Sequence, residues 1–308
     1  MILKKPYFWK NINFYSILLL PFSLITFLII YFKKLSVKKR KINIPIICVG
    51  NIYLGGTGKT PLSIHLYDLL KKKKFKPAIV RKFYPSHLDE INLIKSRVKQ
   101  LFFSSNRFQS ITEAKRRKNN IIILDDGFQD DSIKKNLNII CFNSLDLSGN
   151  NFLIPAGPLR EPLKNVKNSQ VVVINGKRNI NFEKKLKSIS KKTKIFYSRY
   201  IILKNNIGKK NVFAFAGIGN PQGFFSLLKE NNFKVEKQIS FPDHYDYKKR
   251  EIDKMIKEAK EKNLKLITTE KDFFRMKKMG IKKIAYIKIN LKILKSKTFE
   301  KEMLKNIW

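Results

Sequence analysis

The stretch Ile46-Ile-Cys-Val-Gly50-Asn-Ile-Tyr-Leu-Gly55-Gly-Thr-Gly-Lys59-Thr60 decides the fold. An apolar run passes into a glycine-rich loop, and the loop ends in Gly-Lys-Thr where a helix is expected to begin. This is the layout of a loop that grips nucleotide phosphates. Glycines let backbone N–H groups approach the phosphates, and the helix N-terminus adds partial positive charge. Lys59 is then placed for the outer phosphates and the Thr60 hydroxyl for Mg²⁺. The residues expected to bind the nucleotide are Asn51, Gly55, Gly56, Thr57, Gly58, Lys59 and Thr60. The usual spacing asks for glycine where Tyr53 stands, so the loop is a variant. Membrane-associated partitioning ATPases carry a lysine at the place of Leu54, which separates this chain from them. Pro61 suits a helix's first turn.

A phosphate loop needs an acidic partner for its metal. Ile121-Ile-Ile-Leu124 reads as a buried parallel strand, and Asp125-Asp126-Gly127 follows at its C-terminal end. Ligands bind at that end in open α/β sheets. Asp125 and Asp126 are therefore expected as metal partners, with the choice between them open.

Outward from these two motifs, strand and helix patterns alternate. Strands are expected over residues 42–49, 77–83, 121–124, 137–142 and 171–175, with helices over 59–73, 91–101 and 111–118. Residues 177–210 are polar and lysine-rich apart from a strand-like run over 195–203. A second α/β series follows, with helices over 248–262 and after Thr269 and strands over 264–268 and 284–289. The expected fold class is α/β: two Rossmann-like α/β/α domains, the first with a P-loop NTPase-type parallel sheet. The expected division is an N-terminal anchor and basic flank over 1–41, a P-loop domain over 42–176, a linker over 177–210 and a second domain over 211–308.

The segment 15–32 is uncharged and apolar, close to the roughly 20 residues that a membrane span needs. No small-residue cleavage site follows it; Lys33, Lys34 and Lys38-Lys-Arg-Lys41 do. The expectation is an N-terminal membrane helix. Pro21 leaves open whether it spans or lies in one leaflet, and Lys4, Lys5 and Lys10 on its other side leave its orientation open.

Net charge is +42, from 65 Lys+Arg against 23 Asp+Glu. Nucleic acid is the reflex reading of such a balance. The lysines, however, recur on nearly every expected helix alongside many Asn and Ile, as a compositional bias produces, and no nucleic-acid partner is expected. An anionic membrane surface or a phosphorylated substrate fits the charge better. Cys48 and Cys141 lie in apolar strands, without metal or disulfide spacing. Asn151-Phe-Leu-Ile-Pro155-Ala-Gly-Pro158-Leu-Arg160-Glu-Pro162 reads as a structured loop in which Arg160 is an anion contact.

Taken in order, the motifs resemble one family, the tetraacyldisaccharide 4′-kinases of lipid A synthesis. The matching pieces are Val49 to Pro61, Asp125-Asp-Gly-Phe-Gln129, Pro155-Ala-Gly-Pro-Leu-Arg-Glu161, Ala216-Gly-Ile-Gly-Asn-Pro221, Asp243-His244 and Thr269-Glu-Lys-Asp272. The resemblance implies a cytoplasmic-side enzyme at the inner membrane with ATP and Mg²⁺ as cofactors. It implies transfer of the γ-phosphoryl group to the 4′-hydroxyl of a tetraacylated disaccharide 1-phosphate, giving lipid IVA. Its partners would be that lipid A precursor and the anionic membrane surface. Leu88-Asp89-Glu90-Ile91 is similar to the family's acidic pair, with Leu88 and Ile91 in place of its glycine and proline. On that match Asp89 is the base, His244 its partner and Glu90 a metal ligand. Val80-Arg81-Lys82-Phe83-Tyr84-Pro85 is similar to a second family piece; Arg81 is kept as a catalytic residue beside Lys59, while Lys82 replaces a glycine and the segment to Asp89 is shortened. The competing readings are a membrane-docked P-loop ATPase acting as a nucleotide switch and a nucleic-acid ATPase.

Overall fold

A computed structural model describes residues 6–203, 207–208, 211–281 and 284–307; Lys4 and Lys5 lie outside these. In chain order the elements are α1 (Phe14–Leu18), α2 (Leu20–Ser36), β1 (Ile46–Gly50), α3 (Lys59–Lys72), β2 (Pro77–Lys82), α4 (Leu88–Arg97), β3 (Leu101–Ser104), α5 (Arg107–Arg116), β4 (Ile121–Asp125), β5 (Leu137–Asn143), β6 (Val171–Asn175), α6 (Ile180–Ile189) and β7 (Lys194–Ile202). They continue with β8 (Asn211–Ala216), α7 (Pro221–Glu230), β9 (Lys234–Ser240), α8 (Lys249–Glu261), β10 (Lys265–Thr269), α9 (Glu270–Met276), β11 (Ala285–Ile287), β12 (Ile289–Ile293) and α10 (Ser296–Ile307).

The chain forms two compact units, and they are not consecutive in sequence. The larger runs through Phe83, resumes over Val98–Arg199 and takes the C-terminal stretch from Lys292; the smaller is Tyr84–Arg97 with Tyr200–Leu291.

The larger unit is built on a sheet of order β12-β7-β6-β5-β1-β4-β2-β3. Neighbours from β7 to β3 pair in parallel. Such a sheet is covered on both faces, so its central strands carry apolar side chains without alternation. All five residues of β1 and of β4 are buried accordingly. The helix α3 lays Leu62, Leu66 and Leu70 into the core at helical spacing. The smaller unit has a four-stranded parallel sheet of order β11-β10-β8-β9. Phe213, Phe215, Tyr247 and Ile252 pack on one side, and Ala214, Phe225, Leu228 and Ile267 form a second cluster.

Several elements differ from expectation. The strand expected over 42–49 begins only at Ile46. The helix expected over 91–101 is α4, shifted toward the N-terminus, and the edge strand β3 takes Leu101 onward. All four β3 residues are only half-buried, so no burial pattern announces the strand. The strand β9 alternates exposed and half-buried positions, as a lysine-rich edge strand does.

The expected N-terminal membrane helix is not one continuous helix, and of the two arrangements left open the spanning one is corrected. The apolar segment breaks at Leu19, where α1 ends and α2 begins with Pro21 in its first turn. Among the described residues no helix is long and apolar enough to cross a membrane. One side of α2 is committed to the larger unit instead. The Ser23 hydroxyl donates to Leu153 O at 2.8 Å and accepts from Ala156 N at 3.1 Å. Phe27 and Ile30 pack against the core, and Lys34 pairs with the buried Glu161 at 2.7 Å. The opposite side, with Phe22, Ile25, Ile29 and Phe32, is exposed, as is Leu18 at the end of α1.

Candidate active site

The larger unit contributes the phosphate loop. Three positions demand glycine. Gly50 approaches Phe128 so closely that a Cβ would lie 2.4 Å from the Phe128 Cβ, Gly55 has φ of 123°, and Gly58 enters α3 with φ of 91°. Asn51 holds the loop from inside. Its side-chain amide donates to Tyr53 O at 2.5 Å, Gly55 O at 3.4 Å and Thr57 Oγ1 at 3.1 Å. Its side-chain oxygen accepts from Arg160 Nη1 at 3.0 Å. Asn51 was expected to meet the nucleotide; its side chain is spent on shaping the loop.

The two aspartates after β4 divide their work. Asp125 is fully buried and ion-paired with the buried Arg81. It also accepts from Ser63 Oγ at 2.8 Å and from Thr60 Oγ1 at 3.2 Å. Arg81 sits beneath the loop, with Nη1 also 3.4 Å from Thr60 Oγ1. Asp126 turns the other way, in a left-handed conformation with φ of 57° that aspartate tolerates. Its Oδ1 lies 3.6 Å from Lys59 Nζ and 3.2 Å from Arg160 Nη1. Burial alone would raise the Asp126 carboxyl, but Lys59, Arg160, Arg81 and Arg107 bring it down to about 2.

The Thr60 hydroxyl and these two carboxylates are hard oxygen donors, the type that Mg²⁺ takes, so the residues present fit such an ion. Glu90, expected with them, belongs to the smaller unit, where its Oε1 lies 3.0 Å from Lys271 Nζ.

The smaller unit gathers the second expected group. Asp89, in the first turn of α4, is buried. His244, in a left-handed conformation with φ of 58°, places Nδ1 3.4 Å from Asp89 Oδ2. Its ring stacks on His87 with centroids 4.8 Å apart. Burial works against a charge on Asp89, but His244, Lys271 and Arg275 outweigh it and hold the carboxyl well below the usual range. His244 Nδ1 is buried without an aligned hydrogen-bond partner, so we assign the larger share to the two full cations. Arg275 Nη2 donates to Asp89 Oδ2 at 2.5 Å. Lys271 Nζ lies 3.9 Å from Asp89, 3.0 Å from Glu90 and 3.5 Å from Asp243. Burial would lower this ammonium, yet Glu90, Asp243 and Asp89 raise it above its ordinary value.

Sequence reasoning missed the cations that organise both groups. Arg107 donates to Asp126 O at 2.6 Å and pairs with Asp130 at 3.0 Å, and no motif marks it. Gln129 donates to Asn51 O at 2.6 Å. Lys271 lies inside the quoted Thr-Glu-Lys-Asp piece, and Arg275 follows it by one helical turn.

A parallel sheet with a glycine cradle, a terminal Lys-Thr and an acidic pair at the neighbouring strand end defines a P-loop phosphotransferase. Residues 15–307 match the family described as LpxK, tetraacyldisaccharide-1-P 4′-kinase. A tetraacyldisaccharide 4′-kinase of Pelagibacter ubique (strain HTCC1062) is 40% identical over 99% of this chain and 98% of its own. That of Rickettsia canadensis (strain McKiel) is 35% identical over 88% of this chain and 87% of its own. The chain belongs to the tetraacyldisaccharide 4′-kinase family. It is thus a kinase of lipid A biosynthesis, using ATP with Mg²⁺. A crystal structure of LpxK from Aquifex aeolicus in complex with ATP shares the fold, with TM-score 0.70 and 24% identity over 95% of this chain and 99% of that one.

Proposed function

We propose that this chain transfers the γ-phosphoryl group of ATP to the 4′-hydroxyl of a tetraacylated glucosamine disaccharide 1-phosphate at the cytoplasmic face of the inner membrane, giving lipid IVA. The observation that carries the reading is the convergence of Asp89 and His244, remote in sequence and 3.4 Å apart. A sugar hydroxyl needs such a group because it loses a proton as it attacks.

On this reading the backbone amides of Gly55, Gly56, Thr57 and Gly58 and the Lys59 ammonium hold the phosphates. Arg160, already beside Asp126, adds a second cation. Bound Mg²⁺, held by Thr60 and Asp126, would neutralise charge on the β- and γ-phosphates. Asp125 is committed to Arg81, Ser63 and Thr60, so it positions the Thr60 hydroxyl, and Arg81 acts through it. As the acceptor oxygen bonds to the γ-phosphorus and the bond to ADP breaks, the hydroxyl proton passes to Asp89. His244, beside the same carboxylate oxygen, can take the proton onward.

The lipid acceptor stays in the bilayer. The exposed apolar side of α1 and α2, flanked by Lys33, Lys38, Lys39, Arg40 and Lys41, suits a helix lying in one leaflet of an anionic membrane.

Incubation of the purified chain with ATP, Mg²⁺ and the tetraacyldisaccharide 1-phosphate in mixed micelles is expected to yield the 4′-phosphorylated lipid. A folded sample that binds ATP and gives no product refutes the reading.

A further inference from the structure

Asp89 is held by something other than its histidine. Its Oδ1 accepts from the Glu90 backbone N–H at 2.9 Å, a bond within the same turn of α4. Its Oδ2 accepts from Arg275 Nη2 at 2.5 Å. His244 Nδ1 faces the same oxygen from 3.4 Å and has no aligned partner. The direction of Oδ2 is therefore fixed by Arg275.

Arg275 can do this because it is itself immobilised. Its Nη1 donates to Gly217 O at 3.1 Å, Tyr245 O at 3.3 Å and Asp272 Oδ1 at 2.9 Å. Asp272 is fully buried and locked in turn: it accepts from Gly217 N at 3.0 Å, Thr269 Oγ1 at 2.7 Å and Tyr247 OH at 3.1 Å. One guanidinium thus joins the end of β8, the backbone next to His244 and the first turn of α9 to a single oxygen of Asp89. Lysine, a point charge on a flexible stem, cannot span the same acceptors. The neighbouring Lys271 faces Glu90, Asp243 and the His244 ring, with Nζ 3.3 Å from His244 Nε2.

We infer that Arg275 is a positioning residue for the phosphoryl-transfer step, aiming the Asp89 carboxylate while His244 shares the same oxygen. This rests on the reading of Asp89 as the base. A transferring phosphoryl group asks little covalent help from the protein and much positioning, and a displacement of 1 Å costs about 100-fold in rate. Without Arg275, Oδ2 has only the misaligned His244 and the more distant Lys271 to set its direction.

The test is a two-by-two cycle in the full chain: wild type, Arg275→Gln, Asp89→Asn and the double variant. Turnover is measured with radiolabelled ATP, Mg²⁺ and the tetraacyldisaccharide 1-phosphate, and ATP binding and thermal melting are measured separately. Arg275→Gln is expected to lower kcat about 30- to 100-fold with KM for ATP changed less than about 3-fold. In the Asp89→Asn background the same substitution is expected to cost less than about 3-fold, because a residue acting through Asp89 has nothing left to aim. An equal loss in both backgrounds, or no loss in the first, overturns the inference. Where Arg275→Gln does not yield folded protein, Arg275→Lys runs the same cycle under the same criteria. Full activity in Asp89→Asn alone would instead refute the base assignment, a distinct outcome.

Discussion

Arg81 and Asp125 form an ion pair that is closed to water: their side chains are 4% and 0% exposed. Breaking such a pair from one side leaves an uncompensated buried charge and costs about 3–5 kcal/mol. In Arg81→Met, Asp125 keeps two donors, Ser63 Oγ at 2.8 Å and Thr60 Oγ1 at 3.2 Å. Two hydroxyls satisfy part of a carboxylate, so the cost falls at the lower end, about 3 kcal/mol. For a unit near 200 residues each kcal/mol moves the melting midpoint by about 2–4 °C, so a fall of about 6–12 °C is expected. The decisive measurement is again a cycle, read by urea unfolding and thermal melting. In Arg81→Met/Asp125→Leu both charges are gone and an apolar pair replaces them. The double variant is therefore expected to be more stable than Arg81→Met alone, with a coupling above about 1 kcal/mol. A melting shift under about 2 °C in Arg81→Met, or double-variant losses that simply add, would refute the claim that the pair is a sealed unit under the phosphate loop. Catalysis supplies an independent readout. Since Thr60 hangs on Asp125, Asp125→Asn is expected to weaken Mg²⁺-dependent turnover even where the fold survives.

Lys59→Ala and Asp126→Asn are each expected to lower turnover by about 10²–10³, with circular dichroism unchanged, because both side chains face the loop opening rather than the core. Ser23→Ala leaves Ala156 N without its acceptor, while Leu153 O keeps the Gly157 N–H at 2.8 Å, and is expected to cost about 1–2 kcal/mol in urea unfolding. Phe22→Asp/Ile29→Asp places charge on the exposed side of α2; flotation with anionic vesicles is expected to fall while the melting midpoint stays within about 2 °C. The Asp130 carboxyl, which burial would raise, is held below its ordinary 3.8 by Ser132 and Arg107. Its folded value being the lower one, it contributes stability above that ordinary value that is lost as pH falls through the folded one. Asp130→Asn is expected to lose less stability between pH 5 and pH 3 than the wild type, measured by urea midpoints.

The central elements were legible because their physics is local. β1 and β4 are unbroken apolar runs, which only a strand covered on both faces accommodates, and the carboxylates after β4 follow at the ligand-binding end of such a strand. The glycines before Lys59 announce a turn that no side chain could follow. What sequence could not carry was contact between distant residues. Arg107 and Arg275 look like any other cation in a lysine-rich chain, and Gln129, though it closes the quoted Asp125-to-Gln129 piece, carries no sign there of what it holds. Their roles appear only once α5, the turn after β4 and α9 bring them to Asp126, Asn51 and Asp89. The edge strands β3 and β9 escaped notice for a related reason. An edge strand is half-covered, so its residues need not be apolar: β3 shows no alternation, and in β9 charged and polar residues fill most positions.

The N-terminal segment shows where composition misleads. Its uncharged run satisfies the hydropathy of a membrane span. Within it, Ser23, Phe27 and Ile30 spend one side of α2 on the larger unit, and Leu19 and Pro21 interrupt the helix where a span would continue. The same apolar residues thus serve two surfaces, and hydropathy averaged along the chain cannot separate them; a period near 3.6 can. Phe22, Ile25, Ile29 and Phe32 repeat at that period on the open side, while Ser23, Phe27, Ile30 and Lys34 repeat on the docked one. Lys34 closes the argument, because its partner Glu161 directly follows Arg160. The helix that offers an apolar surface is therefore tied by a 2.7 Å ion pair to the loop whose arginine stands over Asp126.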